Sequence, residues 1–567
     1  MKRCVLGLLV LLMVVAVFAE DEKESGLTPI GGLTFADKFE LTVVNVMAHV
    51  TDKKGNLVTD LTKDDFRVFQ DKQEKEISNF QLYTEAVYEQ YAAASAKLLP
   101  GMPLPESTIE PQSVNMIVFI DHDNLHPLDR NRVLRNVRDF VAENLRPPMQ
   151  MMVVESFLGD LKILQSFTSS SREVRDSLRG ITSRAGGRPE RDSARQGVLE
   201  RMQWEIENYG LASGLAVRAT RSYNDMMTYA EEEAHNVMFS IDRLREVVTF
   251  LAGLPGRKSV LYISNGLPMV PGLDLFNAFA DAYNDPTILA ETQRFDRSSA
   301  FKSVVAAANS QEVSFYTIGA GGLEVVGMSA NEYRGNRGPM VTSLGAETYL
   351  ESLRYIAVGT GGLAIIRTND FDAGLKRIED DLYTYYSLGY PLVQTGRDKV
   401  HHIKVTLPDH PELVIRFRRS FVEKSLETRV QDRTLAGLLH DLNENPMDLE
   451  CVTGMATPAA NDLWMVPMAV SFPIEKIALL PEGEYYVGRV VIFASTRDSD
   501  GKRSEMVSQE SEIRLPAGIY EQIRDSRFDI DLSLLMEAGS YRVAIGLMDQ
   551  ITRQASYQTI TTVISSR

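Results

Sequence analysis

The run Asn115-Met-Ile-Val-Phe-Ile120 is nearly unbroken in apolar character. A strand that is apolar on both faces must be covered on both faces, and that occurs in parallel sheets flanked by helices. The same pattern recurs at 151–154, 161–167, 259–264, 313–318 and 363–366, each read as a strand. Between them, 129–144, 171–181, a long segment ending near Leu251, 300–309, 347–358 and 371–383 have helical spacing. Strands alternating with helices predict a doubly wound, Rossmann-like α/β domain over residues 113–385. Residues 183–240 interrupt it as a helical insertion whose composition is that of a solvated helical hairpin.

The flanks are β in character. Residues 38–85 form an N-terminal β unit with alternating Phe39–Val50 as its first strand. Residues 386–422 read as a β-hairpin, with 402–407 and 413–418 on either side of Pro408-Asp-His-Pro411. Neither piece has enough strands to be stable alone. The expectation is that they pair into one small β-sandwich into which the α/β domain is inserted. Residues 86–112, rich in Ala and Pro, read as a linker. Residues 423–460 read as a helical connector, and the short strands of 461–567 as a C-terminal β-sandwich. The chain is thus multidomain.

Lys2 and Arg3, the apolar run Val5–Phe18 and small residues before Glu20 make residues 1–19 a cleavable signal peptide. Residues 20–37 follow as a flexible leader. No other stretch reaches membrane length, so an exported protein is expected: periplasmic, cell-surface or secreted, with no transmembrane segment in the mature chain. The net charge of −17 disfavours nucleic acid as a partner. Cys4 and Cys451 are the only cysteines, too few for a disulfide framework.

Ligands of an open α/β sheet bind beyond the carboxyl ends of its strands. Those ends carry Asp121-His-Asp-Asn-Leu-His126, Ser264-Asn-Gly266, Gly319-Ala-Gly-Gly322 and Arg367-Thr-Asn-Asp370. The last reads as a helix cap. The glycines at 319–322 lack dinucleotide spacing, and no nucleophile elbow, His-Glu-x-x-His or Walker loop occurs.

The Asp that ends the first strand, the phrase Gly256-Arg-Lys-Ser-Val-Leu-Tyr-Ile-Ser-Asn-Gly266, and Gly359-Thr-Gly-Gly362 together resemble a von Willebrand factor A (VWA) domain. With Val50–Phe66, Tyr385–Tyr390 and Arg416–Phe421, the resemblance covers roughly residues 38–422. It is to exported bacterial VWA-related proteins frequent in Acidobacteria. The resemblance implies a metal-ion-dependent adhesion site, built from Asp-x-Ser-x-Ser after the first strand, a later Thr, and an Asp after the fourth strand. Asp121 matches the first ligand; Asp123 and Leu125 stand where the serines would be, and Asn265 where the later Asp would be. Asp121, Asp123, Asn124 and Asn265 are the oxygen donors on offer to Mg²⁺ or Ca²⁺. The competing role of Asp121 and Asp123 is to cap and brace the following helix. His122 and His126, with the two aspartates, also admit Zn²⁺, although Pro127 prevents one helix from aligning them.

The resemblance implies a non-catalytic adhesion or envelope-scaffolding protein with a degenerate adhesion site, docking a protein or cell-envelope partner. The alternatives are a metal-dependent hydrolase centred on the Asp121–His126 loop and a purely structural envelope protein without metal. No catalytic residue is assigned in the leading reading.

Overall fold

The computed structural model describes residues 41–95, 111–209, 220–323, 339–393, 395–442, 444–461, 463–499 and 501–565. The expected signal peptide, the leader and part of the expected linker lie outside the described residues.

The described residues begin with β1 (Leu41–Thr51), β2 (Arg67–Gln70), β3 (Gln73–Lys75) and β4 (Asn79–Tyr83). In β1 every second residue from Val44 to Val50 is buried. Asp71 and Lys72, both with positive φ, make the tight turn from β2 to β3. β3 and β4 lie in different sheets. Helix α1 (Glu85–Ser95) occupies the start of the segment read as a linker. Its sequence holds good helix formers and no proline until Pro100. Tyr88 anchors it, edge-on to Tyr383 at 5.0 Å.

The α/β unit comprises β5 (Val114–Asp121), α2 (Pro127–Asn144), β6 (Met149–Phe157), β7 (Asp160–Thr168), α3 (Ser171–Gly180), α4 (Arg188–Tyr209), α5 (Arg221–Thr249), β8 (Arg257–Ser264), α6 (Leu273–Tyr283), α7 (Ser298–Ser310), β9 (Val313–Gly319), α8 (Pro339–Gly359), β10 (Ala364–Ile365) and α9 (Phe371–Tyr383). Its sheet has the order β10-β9-β8-β5-β6-β7. All neighbours are parallel except β6 and β7. All eight residues of β5 are buried. Met116, Val118 and Ile120 face α2, α3 and α9, while Ile117 and Phe119 face α5, α7 and α8.

The insertion is not a solvated hairpin. Helices α4 and α5 close over α6 in a core of their own that includes Met202, Met226, Phe276 and Phe279, all fully buried. The lower half of α5 then packs on the sheet through Val237, Ile241 and Leu244.

After α9 the chain forms β11 (Tyr385–Val393), β12 (Lys399–Thr406), β13 (Val414–Phe417) and β14 (Ser420–Glu423). Two sheets result, β13-β1-β11-β4 and β14-β12-β2-β3, packed on one core. Tyr83 of β4 pairs with Tyr385 of β11, so the chain leaves for the α/β unit and returns from it at adjacent positions. The expected hairpin over 386–422 does not form. β13 pairs with β1 and β14 with β12, in opposite sheets. A self-contained hairpin would have left an edge of β1 unpaired beside an apolar core, which strand edges avoid.

Helix α10 (Leu426–Ala436) leads to the C-terminal strands, which form two further sheets around one core. That sandwich starts at Glu450, inside the segment read as a helical connector over 423–460. Cys451 points into its core, where burial pushes the thiol up to about 12, far from reactive. Among the described residues no helix is long and apolar enough to cross a membrane.

Candidate functional site

Strand order reverses between β5 and β8, which are adjacent although β6 and β7 intervene in sequence. This is the topological switch point, where doubly wound sheets form their crevice. Asp121 ends β5, and Ser264 ends β8 with Asn265 directly after it. A short 3₁₀ turn, His122–Asn124, follows β5, and Pro127 then opens α2.

Asp121 is 2% exposed. Its Oδ2 accepts from Tyr262 Oη at 2.6 Å, Asn124 Nδ2 at 2.8 Å and Ser264 Oγ at 3.3 Å. Burial pushes its carboxyl above the ordinary value, against the lowering pull of the Tyr262 and Asn124 bonds. Asp123 turns the other way. Its Oδ1 accepts from Leu158 N at 2.9 Å, and its Oδ2 from Ser156 Oγ at 2.9 Å and Gly159 N at 3.2 Å. It braces the turn between β6 and β7. Asn124 donates to Asp121 and to Ser240 Oγ, and its Oδ1 accepts from Arg191. Asn265 donates to Asp129 Oδ2 at 3.2 Å, while its own Oδ1 is buried without a hydrogen-bond partner.

The four oxygen-bearing residues therefore share a loop without sharing a focus. A hard divalent ion needs about six oxygens aimed at one point. Here the Asp121 Oδ2 holds three donors, both Asp123 oxygens face the 156–159 segment, and Leu125 supplies none. One unpaired amide oxygen on Asn265 does not make a coordination shell. The donor set in this arrangement does not fit Mg²⁺ or Ca²⁺.

The two histidines also diverge. His122 is fully buried, and Arg130 Nη1 donates to its Nδ1 at 3.0 Å. Its Nε2–H is thereby left to donate to Glu155 Oε2 at 3.1 Å. Burial raises the Glu155 carboxyl, but His122 and Arg184 outweigh it and hold it below its ordinary value. His126 meets Asp192 Oδ2 at 2.8 Å, and that bond raises the imidazole. Asp121, His122, Asp123 and His126 thus serve four separate sets of partners, and the four do not converge into one acid–base constellation. Among the described residues no cluster of His, Cys, Asp and Glu has the spacing to hold a metal.

Sequence reasoning missed the face of α4 that meets this loop. Arg188, Arg191 and Arg195 lie on one helical stripe. The Arg188 guanidinium sits 3.9 Å over the ring of Tyr349, and Arg195 pairs with Asp274 at 2.5 Å. Their spacing, three and four residues apart, was the available signal. It was hidden by the overall solvated composition of the segment.

The Asp121 carboxylate organises this face, so Asp121→Ala is expected to cost about 3 kcal/mol, because the buried donors of Tyr262, Asn124 and Ser264 lose their acceptor. Urea unfolding checks this, and a loss within error would show that the network is dispensable.

No family model matches the chain, and no curated protein matches it. Several solved structures are similar. An aerotolerance-related membrane protein from Bacteroides fragilis is 10% identical over 47% of this chain and 98% of that chain, with a TM-score of 0.23. The vWF domain of the type V pili tip protein Mfa5 from Porphyromonas gingivalis is 11% identical over 48% of this chain and 96% of that chain, at a TM-score of 0.25. The manganese-loaded TRAP protein of Plasmodium vivax is 8% identical over 70% of this chain and 93% of that chain, at 0.18. Likeness at these scores bears no weight in assigning a role.

Proposed function

We propose that the protein is an exported, non-catalytic binding protein of the cell envelope, with a VWA-like domain as its docking module and a degenerate adhesion site at the switch point. The observation that carries this reading is a cavity of about 680 Å³ beside the Asp121–His126 loop, lined by Asp123, Gly159, Glu190, Arg191, Glu232 and Phe239 among others. It opens beside the carboxyl end of β5, on the β6 side of the switch point, between the β6–β7 turn, α4 and α5. Glu190 and Glu232 are exposed, and Phe239 is 60% exposed. An acidic rim around an aromatic contact suits a basic protein or envelope partner, and the net charge of −17 favours its approach at long range. The hydrolase alternative would need the loop histidines and aspartates to converge, and each is held by its own partner. The C-terminal sandwich serves as a scaffold beside the docking module.

The test is saturable binding of the mature protein to envelope fractions of its source organism. Glu190→Lys combined with Glu232→Lys is expected to weaken that binding about tenfold, with a reduced salt dependence. Salt-independent binding, or binding indifferent to the charge reversal, would sink the assignment of this cavity. Turnover of an ester, peptide or phosphate substrate that vanished in His122→Ala would replace the whole reading by the hydrolase.

A further inference from the structure

Helix α4 approaches the strand-end loop with its first turn. Gly187 N donates to the His122 carbonyl at 3.0 Å. A Cβ on Gly187 would lie 2.6 Å from the Asp123 carbonyl oxygen, so only glycine allows this approach. Arg191 is thereby placed against the loop. Its Nη2 donates to the Asp123 carbonyl and, at 2.6 Å, to Asn124 Oδ1. Its Nε lies 3.3 Å from Glu233 Oε2 of α5. The Arg191 side chain is 15% exposed and that of Glu233 1%. A backbone carbonyl, a side-chain amide and a carboxylate thus converge on one guanidinium, at the loop where the sequence resemblance implies a divalent ion and where the other donors do not fit one.

We infer that Arg191 is the resident cation of this face: a guanidinium tethered to the helical insertion takes the part of a dissolved metal ion. The inference rests on the reading of residues 121–126 as a degenerate adhesion site. Arginine suits the position because its planar fork can serve several oxygens at once and it never loses its charge. A tethered cation cannot dissociate, so the order of the strand-end face is independent of metal. The arginine also binds the insertion to the sheet, which accounts for a helical pair of this length being docked over the crevice. Asp192 to His126 at 2.8 Å and Arg195 to Asp274 at 2.5 Å add flanking ties along the same helix.

The experiment uses the full mature chain. Thermal unfolding is followed in EDTA and in millimolar Mn²⁺, and Mn²⁺ binding is followed by electron paramagnetic resonance. The wild-type protein is expected to melt at the same temperature in both conditions and to take up no stoichiometric Mn²⁺. Arg191→Ala is expected to melt about 5 °C lower. In that variant alone Mn²⁺ should recover part of the loss, because the Asp123 carbonyl and Asn124 Oδ1 lose their donor and the buried Glu233 carboxylate loses its paired cation. Should Arg191→Ala fail to fold, Arg191→Lys replaces it, since an ammonium on a shorter reach meets fewer of the three oxygens. Stoichiometric Mn²⁺ in the wild type, a variant that melts like the wild type, or a variant whose stability ignores Mn²⁺ would each overturn the inference. Metal in the wild type would leave a binding protein standing with a different cation. Turnover lost in His122→Ala would remove the binding-protein reading without touching the place of Arg191.

Discussion

Asp381→Ala is expected to lower the free energy of unfolding by about 3–5 kcal/mol, the range for breaking a buried ion pair by removing one partner. Asp381 is 1% exposed, near the end of α9, where the α/β unit meets the split sandwich. Arg416 of β13 grips it with both terminal nitrogens, at 2.7 and 2.5 Å. His49 of β1 lies 3.6 Å away. Arg257, at the start of β8, donates to the backbone carbonyls of Asp381 and Leu382 and lies 4.3 Å from the centre of the Tyr385 ring. Burial raises the Asp381 carboxyl, but His49 and Arg416 outweigh it and hold it below its ordinary value. Removing the carboxylate leaves the positive charge of two largely buried arginines uncompensated. Urea unfolding at pH 7 measures the loss, and Arg416→Met in the same chain should recover part of it. A loss below about 1 kcal/mol would mean that the arginines are solvated after all.

The same junction makes stability depend on pH. Acidification from pH 6.5 towards 4 is expected to remove about 3 kcal/mol through His49 alone, from a shift of that size between folded and unfolded chains. Burial is the main cause and lowers the imidazole from 6.5 to about 4; Asp381 opposes it, and Arg416 and Arg257 assist it. The folded pKa lies below the unfolded one, so within this window the unfolded chain binds the extra proton. The contribution is present in full above pH 6.5 and is lost as the pH falls to about 4. His440, beside Phe167, is lowered to about 4 for the same reason and acts in the same direction. Urea midpoints between pH 7 and 4.5 test this. His49→Gln should flatten the slope, and an unchanged slope would rule out His49 as its source.

Much of the α/β unit is legible from local pattern. The apolar run at Asn115–Ile120 requires cover on both faces, and α2 and α5 supply it. Asp370 caps α9 by accepting from Ala373 N at 3.0 Å, as its place in the sequence suggests. Gly361, at φ +82°, makes the turn after α8. The segment read as a linker begins with a helix because Glu85–Ser95 holds good helix formers, which the prolines from Pro100 onward obscure. The hairpin over 386–422 failed because pairing partners are chosen through space. Leu413–Arg418 alternates well enough for either neighbour, and the open edge of β1 took it.

The candidate site divides in the same way. Asp121, Asp123, Asn124 and Asn265 could be located at strand ends because strand ends are where the apolar period stops. Where their oxygens point could not be read from the sequence. That is set by Tyr262, Ser156, Asp129 and Arg191, which lie between 33 and 141 residues away along the chain from the aspartates and asparagines they meet. Which faces must be buried follows from the order of residues, since a two- or 3.6-residue period is a local property of the backbone. Which strands share an edge and which charge meets the Asp123 carbonyl are settled in the folded chain, because hydrogen bonds and ion pairs act over a few ångströms and only folding brings such distant residues that close.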